Sequence, residues 1–313
     1  MGIEYCSVIM KIAQKLVRLV YNPTAGEGEH SKDTLMNLIE KKGYDCEYSS
    51  SKKKILKAID PRTDLIAIAG GDGTIRKTIV RLLDKKLKFK RPLAILPYGT
   101  ANNIATSLKI ETDPAKNIAS WASADIRPFD VGQVIGLEKP EFFIEAFGFG
   151  LFPKLMSELK KIDTSDNDGP EDEFKLALAK LYELLHHYKP VKCKIELDDK
   201  TIEEECLMLE VMNISSMGPK MKINGSSDPG DGFFELIMVK ASDRDKIADY
   251  VQRKQRVENP AFPIKPIRIK QVVIQWAGED VHIDDEVLLP GAHEVFKISV
   301  LENLLQILKS KTA

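Results

Sequence analysis

The first third of the chain alternates short apolar runs with segments of helical periodicity. Residues 65–69 (LIAIA) and 93–96 (LAIL) are continuous apolar runs, and Leu16–Tyr21 has the composition of a strand. Residues 75–83 carry apolar side chains at helical spacing. Continuous apolar runs are typical of strands covered on both faces. Repeated strand–loop–helix units therefore predict a parallel sheet with helices on both sides.

Beyond about residue 124 the pattern changes to strands separated by turn residues, which indicates mainly antiparallel β structure. The predicted strands are 129–135, 142–147, Val191–Leu197, 202–213, 233–239, 267–276 and Val281–Ile283. The predicted helices of this part are 175–188 and 243–255, and residues 164–173 read as an acidic loop. We predict an α/β N-terminal domain over 14–123 and a β-rich domain over 124–300.

The four cysteines, Cys6, Cys46, Cys193 and Cys206, are far apart and match neither a disulfide framework nor a zinc pattern. A two-residue hairpin turn at 199–200 would place Cys193 opposite Cys206. Two buried thiols are favoured over a disulfide there, as expected in a reducing cytosol.

Composition narrows the function classes further. The 313 residues carry a net charge of −1, with 43% hydrophobic and 30% charged residues, as in an ordinary globular protein. This balance does not favour a nucleic-acid partner. We find no apolar run of about 18 residues and no signal peptide, so we expect a cytoplasmic protein without a transmembrane helix.

The strongest chemical signal is the loop Gly70, Gly71, Asp72, Gly73 and Thr74 between an apolar strand and a helix. Glycines let the backbone approach phosphate oxygens, and the start of a helix offers free N–H groups. Asp72 is suited to reach a metal bound to those phosphates. A glycine-bearing strand-to-helix turn without function is the less favoured alternative.

Two further loops follow strands of the same predicted sheet. One contains Asn22, Pro23, Thr24, Ala25 and Gly26, and the other contains Gly99, Thr100 and Asn103. Each is a weak signal alone, since strands commonly end in such residues. Ligands bind open α/β sheets at the carboxyl ends of the strands, so the three loops together predict a phosphate site. The chain contains neither a Walker-type loop nor a dinucleotide fingerprint after the first strand.

Six motifs in this order resemble the diacylglycerol kinase catalytic-domain family, in particular its small bacterial lipid kinases. They are NPTAG at 22–26, GGDGT at 70–74, LPYGTANNIA at 96–105, FDVG at 129–132, DPGDGFFEL at 228–236 and IDDEVL at 283–288. Sphingosine and ceramide kinases belong to the same superfamily. The resemblance implies an α/β nucleotide-binding domain, a β-sandwich-like lipid-binding domain and a site in the cleft. It also implies that the end of the chain, within 301–313, returns to the first domain.

The resemblance further implies an ATP- and Mg²⁺-dependent lipid kinase, with roles for individual residues. The ATP-binding residues would be Asn22, Pro23, Thr24, Ala25, Gly26, Ser51, Gly70, Gly71, Asp72, Gly73, Thr74, Gly99, Thr100 and Asn103. Asp231 would bind Mg²⁺ through its side chain, and Asp228 and Phe233 through backbone oxygens. Glu286 would be the general base and Asp72 a second catalytic residue. Without the resemblance, a polar turn at 228–231 and a solvated acidic turn at 284–286 are the commoner interpretations.

Two positions depart from the family pattern, which often has Asp at Asn103 and usually Gly at Asp285. The amide of Asn103 keeps the shape of a carboxylate but removes its charge. Three functions therefore remain open: a lipid kinase acting on a diacylglycerol-like or sphingoid-like lipid, another GGDG kinase such as an NAD kinase, and a nucleotide-binding protein with lost catalysis.

A lipid substrate requires contact with a membrane surface. Residues 52–54 and 85–91 are basic and favour anionic lipid, although a solvated charged face is an equal alternative. We expect reversible peripheral contact at the inner membrane surface, and the sequence leaves a homodimer open.

Overall fold

The computed structural model describes residues 15–23, 31–50, 59–84, 91–99, 101–162, 170–198, 200–218, 221–223, 227–289 and 294–310. Its N-terminal part is a parallel sheet in the order β4-β3-β1-β2. The strands are β1 (Leu16–Tyr21), β2 (Asp45–Ser50), β3 (Thr63–Gly70) and β4 (Leu93–Pro97). The helices are α1 (Lys32–Lys41), α2 (Asp72–Asp84), α3 (Asn103–Leu108) and α4 (Pro114–Ser120). The predicted parallel sheet is thus confirmed. The pattern missed β2 because its sequence, DCEYSS, has no apolar run and lies at the sheet edge.

The C-terminal part is mainly antiparallel, also as predicted. Its strands are β5 (Asp125–Ile135), β6 (Glu141–Phe143), β7 (Ala146–Gly150), β8 (Val191–Leu197), β9 (Lys200–Met212), β10 (Ser216–Met217), β11 (Met221–Lys222), β12 (Phe234–Lys240), β13 (Ile267–Ile269), β14 (Gln271–Trp276), β15 (Val281–Ile283), β16 (Glu286–Leu288) and β17 (Val295–Lys309). Three helices, α5 (Leu151–Leu159), α6 (Pro170–His187) and α7 (Arg244–Gln255), cover a core that includes Leu178, Ile237 and Val251.

Among the predicted elements that differ from the structure, the strand at 142–147 and the acidic loop do so for identifiable reasons. The strand predicted at 142–147 breaks at Ile144 and Glu145, because the N–H groups of both residues turn to the carboxylate of Asp284. The acidic loop predicted to reach residue 173 is already helical from Pro170. Proline in the first turn and acidic residues near a helix N-terminus both favour helix formation.

The predicted register of the β8–β9 hairpin is wrong by two residues. Leu197 pairs with Lys200, so Cys193 lies opposite Glu204 rather than Cys206. Asp198 adopts a positive φ of 47°, which a tight hairpin requires and which Asp tolerates. A shift of two keeps both thiols on one face. Their sulfur atoms lie 3.2 Å apart as buried free thiols, as the favoured interpretation predicted.

β17 joins the two parts of the sheet. It pairs antiparallel with β14 and β5, and then in parallel with β4 through Ile307 and Leu93. Leu305 and Ile307 accordingly belong to the N-terminal core, whereas Phe296 belongs to the C-terminal core. The segment predicted to return to the first domain is therefore a strand. Among the helices that the structure describes, none is long and apolar enough to cross a membrane.

Candidate active site

The structure brings the described parts of the three predicted loops together at the carboxyl edge of the parallel sheet. Asn22 donates from its side chain to Thr74 Oγ1 at 3.0 Å and from its backbone to the carbonyl of Ala69 at 3.1 Å. The N–H of Tyr98 donates to the carbonyl of Gly70 at 3.1 Å. Pro23 follows Asn22 in the first loop. The other predicted residues of these loops, Thr24, Ala25, Gly26 and Thr100, lie outside the described residues, as does the predicted ATP-binding residue Ser51.

Gly71 and Gly99 are required for this approach. A Cβ atom on Gly99 would lie 2.5 Å from the Cα of Gly71, and one on Gly71 would lie 2.9 Å from the Cα of Gly99. No side chain fits at either position, so the two loops meet backbone to backbone.

Asp72 begins α2, but its carboxylate faces the start of α3. Its two oxygens accept hydrogen bonds from the N–H groups of Asn103 at 2.7 Å and Ile104 at 3.1 Å. The residue before α3, Asn102, makes no side-chain cap and has a φ of 51°, so Asp72 serves as the cap instead. Burial raises the pKa of Asp72 and the charge of Asp285 adds to this, whereas the two N–H groups lower it. Asp72 therefore holds the start of α3, at Asn103, against the glycine-bearing loop at 70–74, called the phosphate loop below.

Arg76, in the second turn of α2, is a site residue that sequence reasoning missed. Its side chain is buried, with 7% exposed. Its guanidinium contacts Asp284 Oδ2 at 2.9 Å, Glu286 Oε2 at 3.0 Å and Asp285 Oδ1 at 3.8 Å. The available signal was a charged residue between the apolar positions 75 and 79 of the predicted helix.

The turn between β15 and β16 supplies those acidic partners. Asp284 has a φ of 50° and is buried. Its Oδ1 accepts hydrogen bonds from the N–H groups of Ile144, Glu145 and Ala146 at 2.8–3.1 Å. Burial raises the pKa of Asp284 to about 6, against the lowering effects of Arg76 and these N–H groups. Asp284 thus links α2, β7 and the β15–β16 hairpin.

The two residues that follow Asp284 face the phosphate loop. A Cβ atom on Gly73 would lie 2.6 Å from Asp285 Oδ2, so the Asp285 side chain lies directly against that loop. Glu286 is held by Arg76, yet 51% of its side chain is exposed. The predicted general base is therefore an exposed carboxylate at the edge of the predicted nucleotide site.

The predicted metal ligands lie together in the loop before β12, but their arrangement does not fit a Mg²⁺ ion. Asp231 Oδ1 accepts from the N–H of Phe233 at 3.0 Å, and its Oδ2 accepts from Arg268 at 2.7 Å. Asp228 Oδ1 accepts from the N–H of Gly230. The guanidinium of Arg268, 4.1 Å from the Phe233 ring centre, places a positive charge where a cation would bind. Within the described ranges no group of three acidic, His or Cys side chains has metal-binding geometry.

A second missed residue, Asp130 of the FDVG motif, organises this loop. It is fully buried, and its carboxylate accepts from the N–H groups of Gly232 and Asn303, each at 2.7 Å. Burial raises the pKa of Asp130, and the two N–H groups lower it. Asp130 therefore ties the 228–233 loop to the irregular part of β17, where Asn303 has a φ of 54°.

The basic segments predicted to contact lipid, 52–54 and 85–91, lie outside the described residues except for Arg91. That arginine donates to the carbonyl oxygens of Thr63 and Pro61. Some of the N–H groups of Arg91 therefore bind the backbone at the start of β3.

Two family models match this chain. Residues 16–134 match the diacylglycerol kinase catalytic domain, and residues 163–308 match the YegS C-terminal NAD kinase beta sandwich-like domain. A diacylglycerol kinase of Staphylococcus saprophyticus is 26% identical over 264 residues, covering 80% of this chain and 81% of the relative. One from Bacillus subtilis is 27% identical over 260 residues, covering 76% and 77%.

A solved structure supports the same assignment at the level of fold. The crystal structure of a diacylglycerol kinase from Bacillus anthracis str. Sterne matches with a TM-score of 0.70 and 21% identity, covering 95% of this chain and 97% of the other. The two family models match successive parts of this chain, in the order of the motifs described above. Over most of its length the chain is therefore similar to members of the diacylglycerol kinase catalytic-domain family.

Proposed function

We propose that this chain is a lipid kinase that transfers the γ-phosphoryl group of ATP, supplied as its Mg²⁺ complex, to a lipid hydroxyl. The observation that carries the proposal is the contact of Arg76 with Glu286 at 3.0 Å. It holds an exposed carboxylate beside the loop that follows β3, where the family resemblance predicts the phosphates of ATP. Curated relatives named diacylglycerol kinase support a diacylglycerol-like substrate, and a sphingoid-like lipid is the alternative.

The described residues could perform this reaction as follows. The lipid hydroxyl oxygen forms a bond to the γ-phosphorus while the bond from that phosphorus to the β–γ bridging oxygen breaks. The hydroxyl proton passes to the carboxylate of Glu286, and ADP leaves with the electron pair of the broken bond. N–H groups at the start of α2 stabilise the charge on the phosphoryl oxygens, and Mg²⁺ of the substrate neutralises part of it.

If an acyl chain entered the C-terminal helical layer, that layer would have to open. The apolar space between that layer and the sheet is lined by residues such as Phe152, Met208, Met221 and Tyr250, and has only about 20 Å³ of free volume. This is about the volume needed for one water molecule. In our proposal the protein binds reversibly to a membrane surface, where it reaches its lipid substrate. The basic segments 52–54 and 85–91 favour anionic lipid.

One assay tests the proposed activity. Purified protein is incubated with labelled Mg·ATP and mixed micelles that contain diacylglycerol, monoacylglycerol, sphingosine or ceramide, with NAD as a separate acceptor. We expect label on one lipid class. Label on NAD would assign the chain to a different kinase activity. Nucleotide binding without transfer to any acceptor would make it a binding protein.

The variant Glu286→Gln tests the base. It keeps the shape of the side chain and a hydrogen bond to Arg76, so we expect nucleotide binding to be retained. Loss of the proton acceptor should lower kcat by about a hundredfold to ten-thousandfold. The matched control is Glu302→Gln, because Glu302 is an exposed residue of β17 whose carboxylate pairs with Lys270. Turnover of Glu286→Gln within threefold of wild type would refute the role of Glu286.

A further inference from the structure

The proposed mechanism leaves one buried carboxyl group of the site unused. Glu145 lies at the bend between β6 and β7 and is 9% exposed. Its N–H donates to Asp284 Oδ1 at 2.8 Å, and its carbonyl accepts from the N–H of Asn213 at 2.8 Å. The backbone of Glu145 is therefore fixed by the hairpin that carries Glu286.

The side chain of Glu145 lies beside the side-chain amide of Asn103. Asn103 is also buried, and its Nδ2 donates to the carbonyl of Gly218 at 2.9 Å. Its Oδ1 is buried and accepts no hydrogen bond from any described residue. A buried acceptor without a donor is costly, so this oxygen is suited to a donor that a ligand or water supplies.

The charges around Glu145 are mostly of its own sign. Burial raises its pKa well above the ordinary value, and Asp72, Asp284 and Asp285 raise it further, whereas Asn103 lowers it. None of the described residues forms an ion pair with it, since Arg76 contacts the acidic residues of the β15–β16 turn. A glutamate in this position is expensive for the fold, and such groups concentrate at functional sites.

We infer that Glu145 and Asn103 act as one carboxyl–amide pair within the site. This inference rests on the proposed kinase function. Glu145 is a positioning residue: it orients the Asn103 amide, whose free Oδ1 then accepts a hydrogen bond from an active-site water. Asp72 fixes the same Asn103 from its backbone side.

Three variants of full-length protein test the pair: Glu145→Gln, Asn103→Asp and the double variant. We expect Glu145→Gln to lower kcat at least tenfold with little change in the KM for ATP. Asn103→Asp should also lower kcat, because it places two carboxyl groups in contact and removes the amide. The double variant restores one carboxyl and one amide in exchanged positions, so its kcat should return to within about fivefold of wild type.

Asp243→Asn is the matched control, since Asp243 is also 9% exposed and contacts Lys240 and Lys246, remote from Asn103 in the C-terminal part. We expect its kcat to be unchanged. Wild-type kcat in Glu145→Gln, or a double variant no faster than the slower single variant, would overturn the inference.

Thermal unfolding of wild type and the three variants tests the contact between Glu145 and Asn103 independently of the kinase proposal. If the two side chains are in contact, the melting temperature of the double variant should be higher than the value predicted by adding the two single-variant shifts. Additive shifts would refute the contact. If wild type transfers phosphate to no acceptor, the kinase function and the positioning role both fail. The unfolding comparison then still decides whether Glu145 and Asn103 interact.

Discussion

Individual buried polar residues determine the geometry of this site. Arg76 contacts Asp284 across 208 positions of sequence, and Asp284 in turn accepts three backbone N–H groups at 144–146. Removing one partner of a buried ion pair leaves the other charge without compensation, which is why such contacts hold distant segments in register. At the residue scale, Asp284 is thus a structural link, while the exposed Glu286 beside it is available for chemistry.

Glu145 also predicts how stability depends on pH. In the unfolded chain it loses its proton near its ordinary pKa of 4.5, whereas burial lets the folded protein hold the proton to a higher pH. The folded state then binds more protons at this site, so the contribution of Glu145 to stability falls as pH rises above about 4.5. Glu145→Gln has no proton to lose, so its free energy of unfolding relative to wild type should increase between pH 5 and pH 8. Urea denaturation at both pH values measures this, and a constant difference would contradict the buried-carboxyl assignment.

At the scale of elements, α3 is the short helix that connects the phosphate loop to the C-terminal part. Asp72 caps its start, Asn103 donates to Gly218, and Ser107 lies 3.0 Å from Ser215, oxygen to oxygen. A helix of six residues is not stable alone, so these contacts hold it in place. A change at Asp72 should therefore affect both the fold and the site.

Asp72→Ala and Asp113→Ala separate those two effects. Asp113 caps α4 by accepting from the N–H of Lys116 at 2.7 Å. Loss of either cap should lower the free energy of unfolding by about 1–2 kcal/mol. Only Asp72→Ala should abolish phosphoryl transfer, because it also releases the Asn103 loop. Chemical denaturation and the lipid kinase assay on both variants measure this, and an active Asp72→Ala protein would exclude a catalytic role for Asp72.

At the scale of the whole molecule, β17 and Asp130 join the two parts of the sheet. β17 has one end in each hydrophobic core, and Asp130 ties its irregular middle to the 228–233 loop. A ligand bound only by the folded form of that loop would raise the melting temperature of the protein. Thermal unfolding therefore tests whether a metal binds there.

Without nucleotide, we expect Mg²⁺ to leave the melting temperature of wild type unchanged, because Arg268 already pairs with Asp231. Arg268→Ala frees an oxygen of Asp231, so the melting temperature of this variant should rise with millimolar Mg²⁺. Lys270→Ala is the control, since it removes the neighbouring exposed cation and leaves Asp231 paired. A Mg²⁺-dependent rise in wild type that Asp231→Asn abolishes would instead support the metal role that the family resemblance implies.

Local patterns in the sequence were enough to predict the parallel sheet and the phosphate loops. The apolar runs of β3 and β4 must be covered on both faces, and Gly70, Gly71 and Gly99 stand where loops approach closely. The apolar runs and the glycine-bearing loops each depend on residues that are neighbours in sequence, so periodicity and composition are enough to predict them. The boundaries proposed for the two domains stay a prediction, as do the roles of the loop residues outside the described ranges.

The tertiary structure decided which single polar residues meet. Arg76, Asp130 and Glu145 each lie within an otherwise apolar or irregular segment, and one polar residue produces no periodic signal that identifies its partner. The register of the β8–β9 hairpin likewise depended on the positive φ of Asp198, which the adjacent aspartates in the sequence do not reveal. The sequence by itself thus determined the parallel sheet and the glycine-bearing loops at its carboxyl edge. Contacts between residues far apart in sequence decided which charged side chains lie at that edge.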